Sequence, residues 1–161
     1  MLFATTMSEG GTVPLYIMPI EAHSSNAFED SIPQTSNGYA SAGPSICVLD
    51  DDASMLKALE RLLKAAGFRV EKFNNPTAFL SAVEQDGCGV VILDVWMPEM
   101  NGLEVQSVLR QGSPETRIIF ITGRDDPSVR QAALDAGAFG FLSKPFDDEI
   151  LLDLVQRASA V

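Results

Sequence analysis

The chain has 161 residues, a formal net charge of −11 and 46% hydrophobic residues. That length suits one domain with some excess. The acidic balance, with no basic patch, argues against a surface that holds nucleic acid. No run of about 18 or more apolar residues is present to span a bilayer, so a cytoplasmic protein is expected.

Residues 1–44 are rich in Ser, Thr, Gly, Pro and Asn, carry Glu9, Glu21, Glu29 and Asp30, and contain no Lys or Arg. The first basic residue is Lys57, so the positive n-region of a secretory signal is missing. With no sustained period, this segment is expected to be a flexible tail that cannot bury enough apolar area to offset its ordering. Its apolar patch, Val13 to Ile20, holds two prolines and makes a weak docking segment at most.

From Ser45 the pattern alternates strand and helix. SICVLD reads as a buried strand. A helix is predicted from Ser54 to Ala66, with Met55, Leu59, Leu62, Leu63 and Ala66 on one face and Gly67 as its stop. FRVEKF is a short strand, and Asn75-Pro76 an N-cap with proline in the first helical position. The helix that follows uses Phe79, Leu80 and Val83. VVILD is the third strand, Leu103 to Gln111 a helix ended near Gly112 and Pro114, and RIIFIT the fourth strand. Pro127 to Ala136 is a helix closed by Gly137, Phe139 to Leu142 a short fifth strand, and Asp147 opens a last helix to about Ala158. Five strands alternating with five helices predict an α/β fold, a doubly wound parallel sheet covered on both faces. Cys47 and Cys88 lie in or beside strand-like runs and read as free thiols of a reducing compartment. With one histidine they offer no zinc-type spacing.

Polar residues gather at the strands' carboxyl ends, where open sheets of this class bind ligands. Asp50 and Asp51 follow the first strand, Asp94 ends the third, Thr122 ends the fourth, and Lys144 follows the fifth. Taken singly, Asp94 is a loop acid, Thr122 a strand-end hydroxyl and Lys144 a surface lysine; together they describe one site. Three neighbouring carboxylates repel, and a hard divalent cation with oxygen ligands, magnesium or manganese, relieves that. Asp51 and Asp94 are expected as direct ligands, Asp50 partly through water, and the backbone carbonyl of Trp96 as a further one. Asp94 then carries a nucleophilic oxygen. The cation, the Lys144 ammonium and the Thr122 hydroxyl would each stabilise part of an incoming phosphoryl charge.

Asp50-Asp51, Asp94 with Met97-Pro98 and Gly102, Thr122-Gly123 and Lys144-Pro145 resemble the receiver domain of two-component response regulators, over about Ser45 to Ala158. The resemblance implies a flavodoxin-like sheet of strand order 2-1-3-4-5. It implies magnesium-dependent phosphoryl transfer from a phosphohistidine to Asp94, followed by slow hydrolysis. Lys144 would pair with the phosphate, Thr122 would be the switch hydroxyl, Phe141 the aromatic switch position, and the bond before Pro145 cis. The output face would combine the fourth helix, fifth strand and fifth helix. Phe141 lacks a phenol hydroxyl, so its turning must rest on packing.

Trp96 and Arg124, each two residues past Asp94 and Thr122, should flank the site as modulating residues. Arg124 is expected to stack on Trp96 or to reach the phosphate, and so to obstruct attacking water.

The last helix ends close to Val161, so the expectation is a stand-alone receiver at 45–161, without DNA binding in this chain. Its partners would be a histidine kinase or histidine phosphotransfer protein and a protein target, with the chain monomeric or weakly dimeric on phosphorylation. It would catalyse its own phosphorylation without being a turnover enzyme. Rival readings are a phosphorylation-independent adaptor and the receiver part of a longer DNA-binding regulator. FITGR and GAFGFLSKPF look most like receivers fused to helix-turn-helix outputs. A phosphatase would want an aspartate where Trp96 stands, and DDDASM lacks the glycines of a nucleotide loop.

Overall fold

The computed structural model describes residues 3–8, 11–16 and 44–160. In the N-terminal unit, β1 (Phe3–Ser8) and β2 (Gly11–Tyr16) pair antiparallel, with Phe3 opposite Tyr16 and Ser8 opposite Gly11. This ladder corrects the expectation that the whole of residues 1–44 lacks regular structure. Its sequence signal is the β-branched content of Thr5, Thr6, Thr12 and Val13 on either side of Gly10-Gly11. The second half of the apolar patch, from Ile17, lies outside the described residues.

The second unit is a sheet of five parallel strands in the order β4-β3-β5-β6-β7, which is the expected 2-1-3-4-5. In chain order these are β3 (Ser45–Leu49), α1 (Ala53–Ala65), β4 (Arg69–Phe73), α2 (Pro76–Asp86), β5 (Val90–Asp94) and α3 (Gly102–Gly112). β6 (Arg117–Thr122), α4 (Pro127–Asp135), β7 (Gly140–Ser143) and α5 (Asp148–Ser159) complete it.

Successive side chains of a strand point to opposite faces, and here both faces are dry. Ile46, Val48, Val90, Ile92, Ile119 and Ile121 pack on one side against α1 and α5, through Leu59, Leu63, Leu151 and Val155. Cys47, Leu49, Val91, Leu93, Ile118 and Phe120 pack on the other against Phe79 and Val83 of α2, Val105 and Leu109 of α3 and Ala133 of α4. Burial on both faces is why β3, β5 and β6 read as unbroken apolar runs rather than as alternation. It also anchors the acids at the ends of strands that are buried on both faces.

Local sequence sets the helix ends. Asp52, Asn75, Asp126 and Asp147 each cap a helix through a side-chain oxygen that accepts backbone N–H groups. Asn101 and Glu104 form a reciprocal capping box, so α3 starts at Gly102 rather than Leu103. The face of α1 is centred on Leu56, Leu59 and Leu63, and Ala66 is exposed. Ala66 falls after the last turn, where Gly67 takes φ 91°, while Leu56 completes the i, i+3, i+7 stripe. The fifth strand runs one residue later than expected because Ser143 pairs with Thr122.

Arg110 of α3 ties the carboxyl end of α4 to its own. Its guanidinium donates to the carbonyls of Ala136 (3.2 Å), Gly137 (2.6 Å), Pro114 (3.0 Å) and Thr116 (3.2 Å). Hydrogen bonds that involve a charged group contribute a net of about 1.5–3 kcal/mol each when well buried, and less where water competes, as at this partly exposed guanidinium. Arg110→Ala should therefore lower unfolding stability by about 2 kcal/mol, read as the urea midpoint. Arg110→Lys should recover little, since a single ammonium cannot reproduce the planar fork.

Cys47 and Cys88 are free thiols, buried and half-buried. A hydrogen bond that the Cys47 thiol donates to Cys88, then burial, pushes Cys47 well above its ordinary range, which suits an inert core residue. Among the described residues no helix is long and apolar enough to cross a membrane.

Candidate functional site

Four strand ends converge on one cleft. Asp50 follows β3 directly and is held there by its N–H, which donates to the Phe73 carbonyl at 3.1 Å. Its carboxylate is fully buried, and both oxygens are engaged: Oδ1 accepts the Asp52 N–H at 2.8 Å and Oδ2 accepts Lys144 Nζ at 2.9 Å. Asp51 is exposed at the cleft's edge. Asp52 caps α1, its Oδ1 accepting the N–H groups of Ser54 and Met55, and also lines the cleft.

Asp94 is the last residue of β5 and only 6% exposed. Behind it the chain turns back so closely that Gly102 N–H donates to Val95 O at 2.8 Å. A Cβ on Gly102 would lie 2.5 Å from the Asp94 carbonyl oxygen. Only glycine fits there, which gives Gly102 a physical reason as strong as that of the acids.

Thr122 ends β6 and is fully buried, its hydroxyl donating to the Arg124 carbonyl at 2.9 Å. Lys144 is placed by its N–H, which donates to Thr122 O at 2.6 Å, and by a cis bond to Pro145. Its ammonium reaches across to Asp50 and stands 3.8 Å from Asp94 Oδ1.

Carboxylate oxygens of Asp50, Asp51 and Asp94 lie within 4.8 Å of one another. Three carboxylates against one ammonium leave two negative charges uncompensated, the charge of one divalent cation. The Asp94 carboxyl is pushed up to about 6, first by burial and then by Asp50 and Asp51, with Lys144 and the Trp96 N–H opposing. Asp51 and Asp94 have the freer oxygens. Asp50, already bonded on both, would meet a cation through water. These are hard oxygen donors of the kind magnesium takes.

Trp96 and Arg124 close the far side of a cleft of about 390 Å³ that the acids and Lys144 also line. The Arg124 guanidinium lies over the Trp96 ring, 5.0 Å from its centre, and Trp96 Nε1 donates to the Arg124 carbonyl at 3.4 Å. Of the two expected positions for Arg124, the stacked one is observed. Phe141 lies beside the site, half-buried, its ring 5.9 Å from that of Phe120. Sequence reasoning missed Arg130, whose guanidinium stands 4.9 Å from the Phe141 ring. Nothing local marks a helix residue that reaches a neighbouring strand.

The sequence matches the response regulator receiver domain family over residues 46–156. Response regulator protein TmoT of Ectopseudomonas mendocina is 45% identical over 113 residues, which is 70% of this chain and 51% of TmoT. Transcriptional regulatory protein FixJ of Bradyrhizobium diazoefficiens is 37% identical over 113 residues, 70% of this chain and 55% of FixJ. The solved structure of chemotaxis protein CheY4 of Vibrio cholerae superposes with a TM-score of 0.68 at 32% identity, over 73% of this chain and 99% of CheY4. The chain spans about half the length of the curated relatives it matches. With its sheet order, its acidic cleft and this match over most of its second unit, the chain belongs to the response regulator receiver domain family.

Proposed function

We propose that Asp94 accepts a phosphoryl group from a phosphohistidine in a two-component or phosphorelay system, and that the acyl phosphate switches a protein-contact face. The observation that carries this is Asp94 lining the cleft, its Oδ1 3.8 Å from the Lys144 ammonium and its neighbours two further carboxylates. An Asp94 oxygen forms the new bond to phosphorus, the phosphorus–nitrogen bond breaks, and the imidazole keeps the electron pair. Lys144 can shift between Asp50 and the new phosphoryl oxygens. Thr122 reaches them by giving up its bond to the Arg124 carbonyl. Magnesium, held by Asp51, Asp94, the Trp96 carbonyl and, through water, Asp50, would supply charge neutralisation at the phosphoryl oxygens. The chain's own share is alignment and electrostatics; it acts once per phosphoryl rather than turning over.

Incubation with acetyl phosphate and magnesium should add the mass of one phosphoryl group, and Asp94→Asn should not gain it. A parent without the adduct would favour an adaptor that works unphosphorylated. On this reading the partners are a histidine kinase or phosphotransfer protein upstream and a protein target downstream, in the cytoplasm. Residues 45–161 are the receiver unit and 1–44 a separate segment. The coverage of TmoT and FixJ favours a second reading for the output, in which this receiver is one half of a longer regulator of transcription.

The Trp96–Arg124 stack bears on the lifetime of the product, because both side chains line the cleft with Asp94 and would obstruct water entering it. A cation–π contact at this exposure is worth about 0.5–1 kcal/mol. Arg124→Ala should therefore speed loss of the phosphoryl group about two- to fivefold, measured by decay of radiolabel. An unchanged decay would mean the stack does not screen the site.

A further inference from the structure

One residue outside the acidic cleft joins three of the elements around it. Arg130 projects from the first turn of α4, and its guanidinium is fixed at three points. It pairs with Asp125, through Nη2 at 2.7 Å and Nε at 3.3 Å, and Nη2 also donates to Ser143 Oγ at 2.9 Å. Its plane covers the Phe141 ring at 4.9 Å. The Ser143 and Arg130 hydrogen bonds hold the Asp125 carboxyl below the usual carboxylate range. So the arginine is not a wandering surface side chain. It joins the loop after Thr122, the helix α4 and the strand β7.

We propose that Arg130 is a positioning residue that holds Phe141 in its resting place and thereby sets how readily Asp94 accepts a phosphoryl group. This inference rests on the proposed phosphoacceptor role of Asp94 and on the expectation that Thr122 and Phe141 move together when the phosphoryl group forms. In the resting form the Thr122 hydroxyl donates to the Arg124 carbonyl. To meet a phosphoryl group on Asp94 it must release that carbonyl, and the loop that carries Asp125 shifts with it. Phe141 must then leave the face of the guanidinium to follow the threonine. Both movements pull on Arg130, one through its ion pair and one through its stack. Each contact stabilises the resting form, and neither touches the acids that would hold a cation.

The test uses Arg130→Met, which keeps the aliphatic stem and removes the charge. Beryllofluoride, a phosphoryl mimic, is titrated with saturating magnesium, and magnesium is titrated alone. Both are read from Trp96 fluorescence, since Trp96 is the only tryptophan. A lost cation–π contact and a lost exposed ion pair should tighten the beryllofluoride midpoint about three- to fivefold, while the magnesium midpoint stays where it is. Asp125→Asn should move the beryllofluoride midpoint in the same direction. In a Phe141→Leu background Arg130→Met should lose most of its effect, because the ring it holds is gone. An unchanged or weakened beryllofluoride midpoint in Arg130→Met overturns the inference. So does an equal shift of both midpoints, which would mark a general structural role. A parent that binds no beryllofluoride removes the phosphoacceptor reading itself, and this inference with it.

Discussion

Replacing Asp94 with Asn should abolish phosphorylation and, in metal-free buffer at pH 7, make the protein more stable by about 2–3 kcal/mol. The first effect follows from the loss of the nucleophilic oxygen. The second follows from where the carboxylate sits. Burial, helped by Asp50 and Asp51, raises the Asp94 carboxyl from 3.8 to about 6, and each such step of one in pKa is worth about 1.4 kcal/mol. Because the folded value exceeds the unfolded one, the native state binds the proton more tightly. The stability this group lends is fully present below about pH 4 and is lost as pH rises through 6. Parent and Asp94→Asn should thus have matching denaturation midpoints near pH 3.5, diverge between pH 4 and 6, and run parallel above. Magnesium should stabilise the parent and narrow the gap, since a bound cation favours the ionised acids. Urea titrations at several pH values, with EDTA and with magnesium, read all of this. A variant less stable than the parent at pH 7 without metal would contradict the electrostatic account of the cleft.

Gly102→Ala should be the most damaging single change outside the acids, costing about 3 kcal/mol and disabling the acceptor. The added Cβ would lie 2.5 Å from the Asp94 carbonyl oxygen, 2.9 Å from Cε1 of Phe120 and 3.1 Å from the Val95 Cα. Two of these are backbone atoms and cannot swing aside, so the turn after β5 must shift. Overpacking of a dense core typically costs 1–3 kcal/mol, and more where nothing flexible yields. Asp94 moves with its carbonyl, so the rate of phosphorylation by acetyl phosphate should fall along with the melting temperature. Gly112→Ala is the control. It sits in the last turn of α3 with open space around it, and there alanine should be neutral or stabilising by about 0.5 kcal/mol. Equal damage from both would mean that helix α3, not the turn, is what glycine serves.

Much of the architecture was legible because it rests on short-range chemistry. Buried strands announce themselves as apolar runs, and the caps Asn75-Pro76 and Asp147 and the stop at Gly67 are one-residue signals with local causes. The boundaries that slipped did so where a tertiary contact decided them. β7 extends to Ser143 because Thr122 is there to pair with it. Ala66 is exposed because α1 ends at Ala65, one residue before the predicted end, and Leu56 takes its place on the buried face. The β1–β2 ladder was missed because its strands lack a clean alternation.

The site divides in the same way. That Asp50, Asp51, Asp94, Thr122 and Lys144 belong together could be read from the chain, because strand ends of a parallel sheet share one edge. Which groups face one another could not. Lys144 finds Asp50 across 94 positions, Arg124 takes the Trp96 face instead of the cleft floor, and Arg130 reaches two neighbouring elements. The sequence by itself determined the layer order, the helix caps and the set of charges brought to one edge, since hydrophobic period and capping act over a few residues. Only the tertiary structure decided which carboxylate holds the ammonium, how deeply Asp94 is buried and what covers Phe141. Those depend on distances between elements that no local pattern encodes.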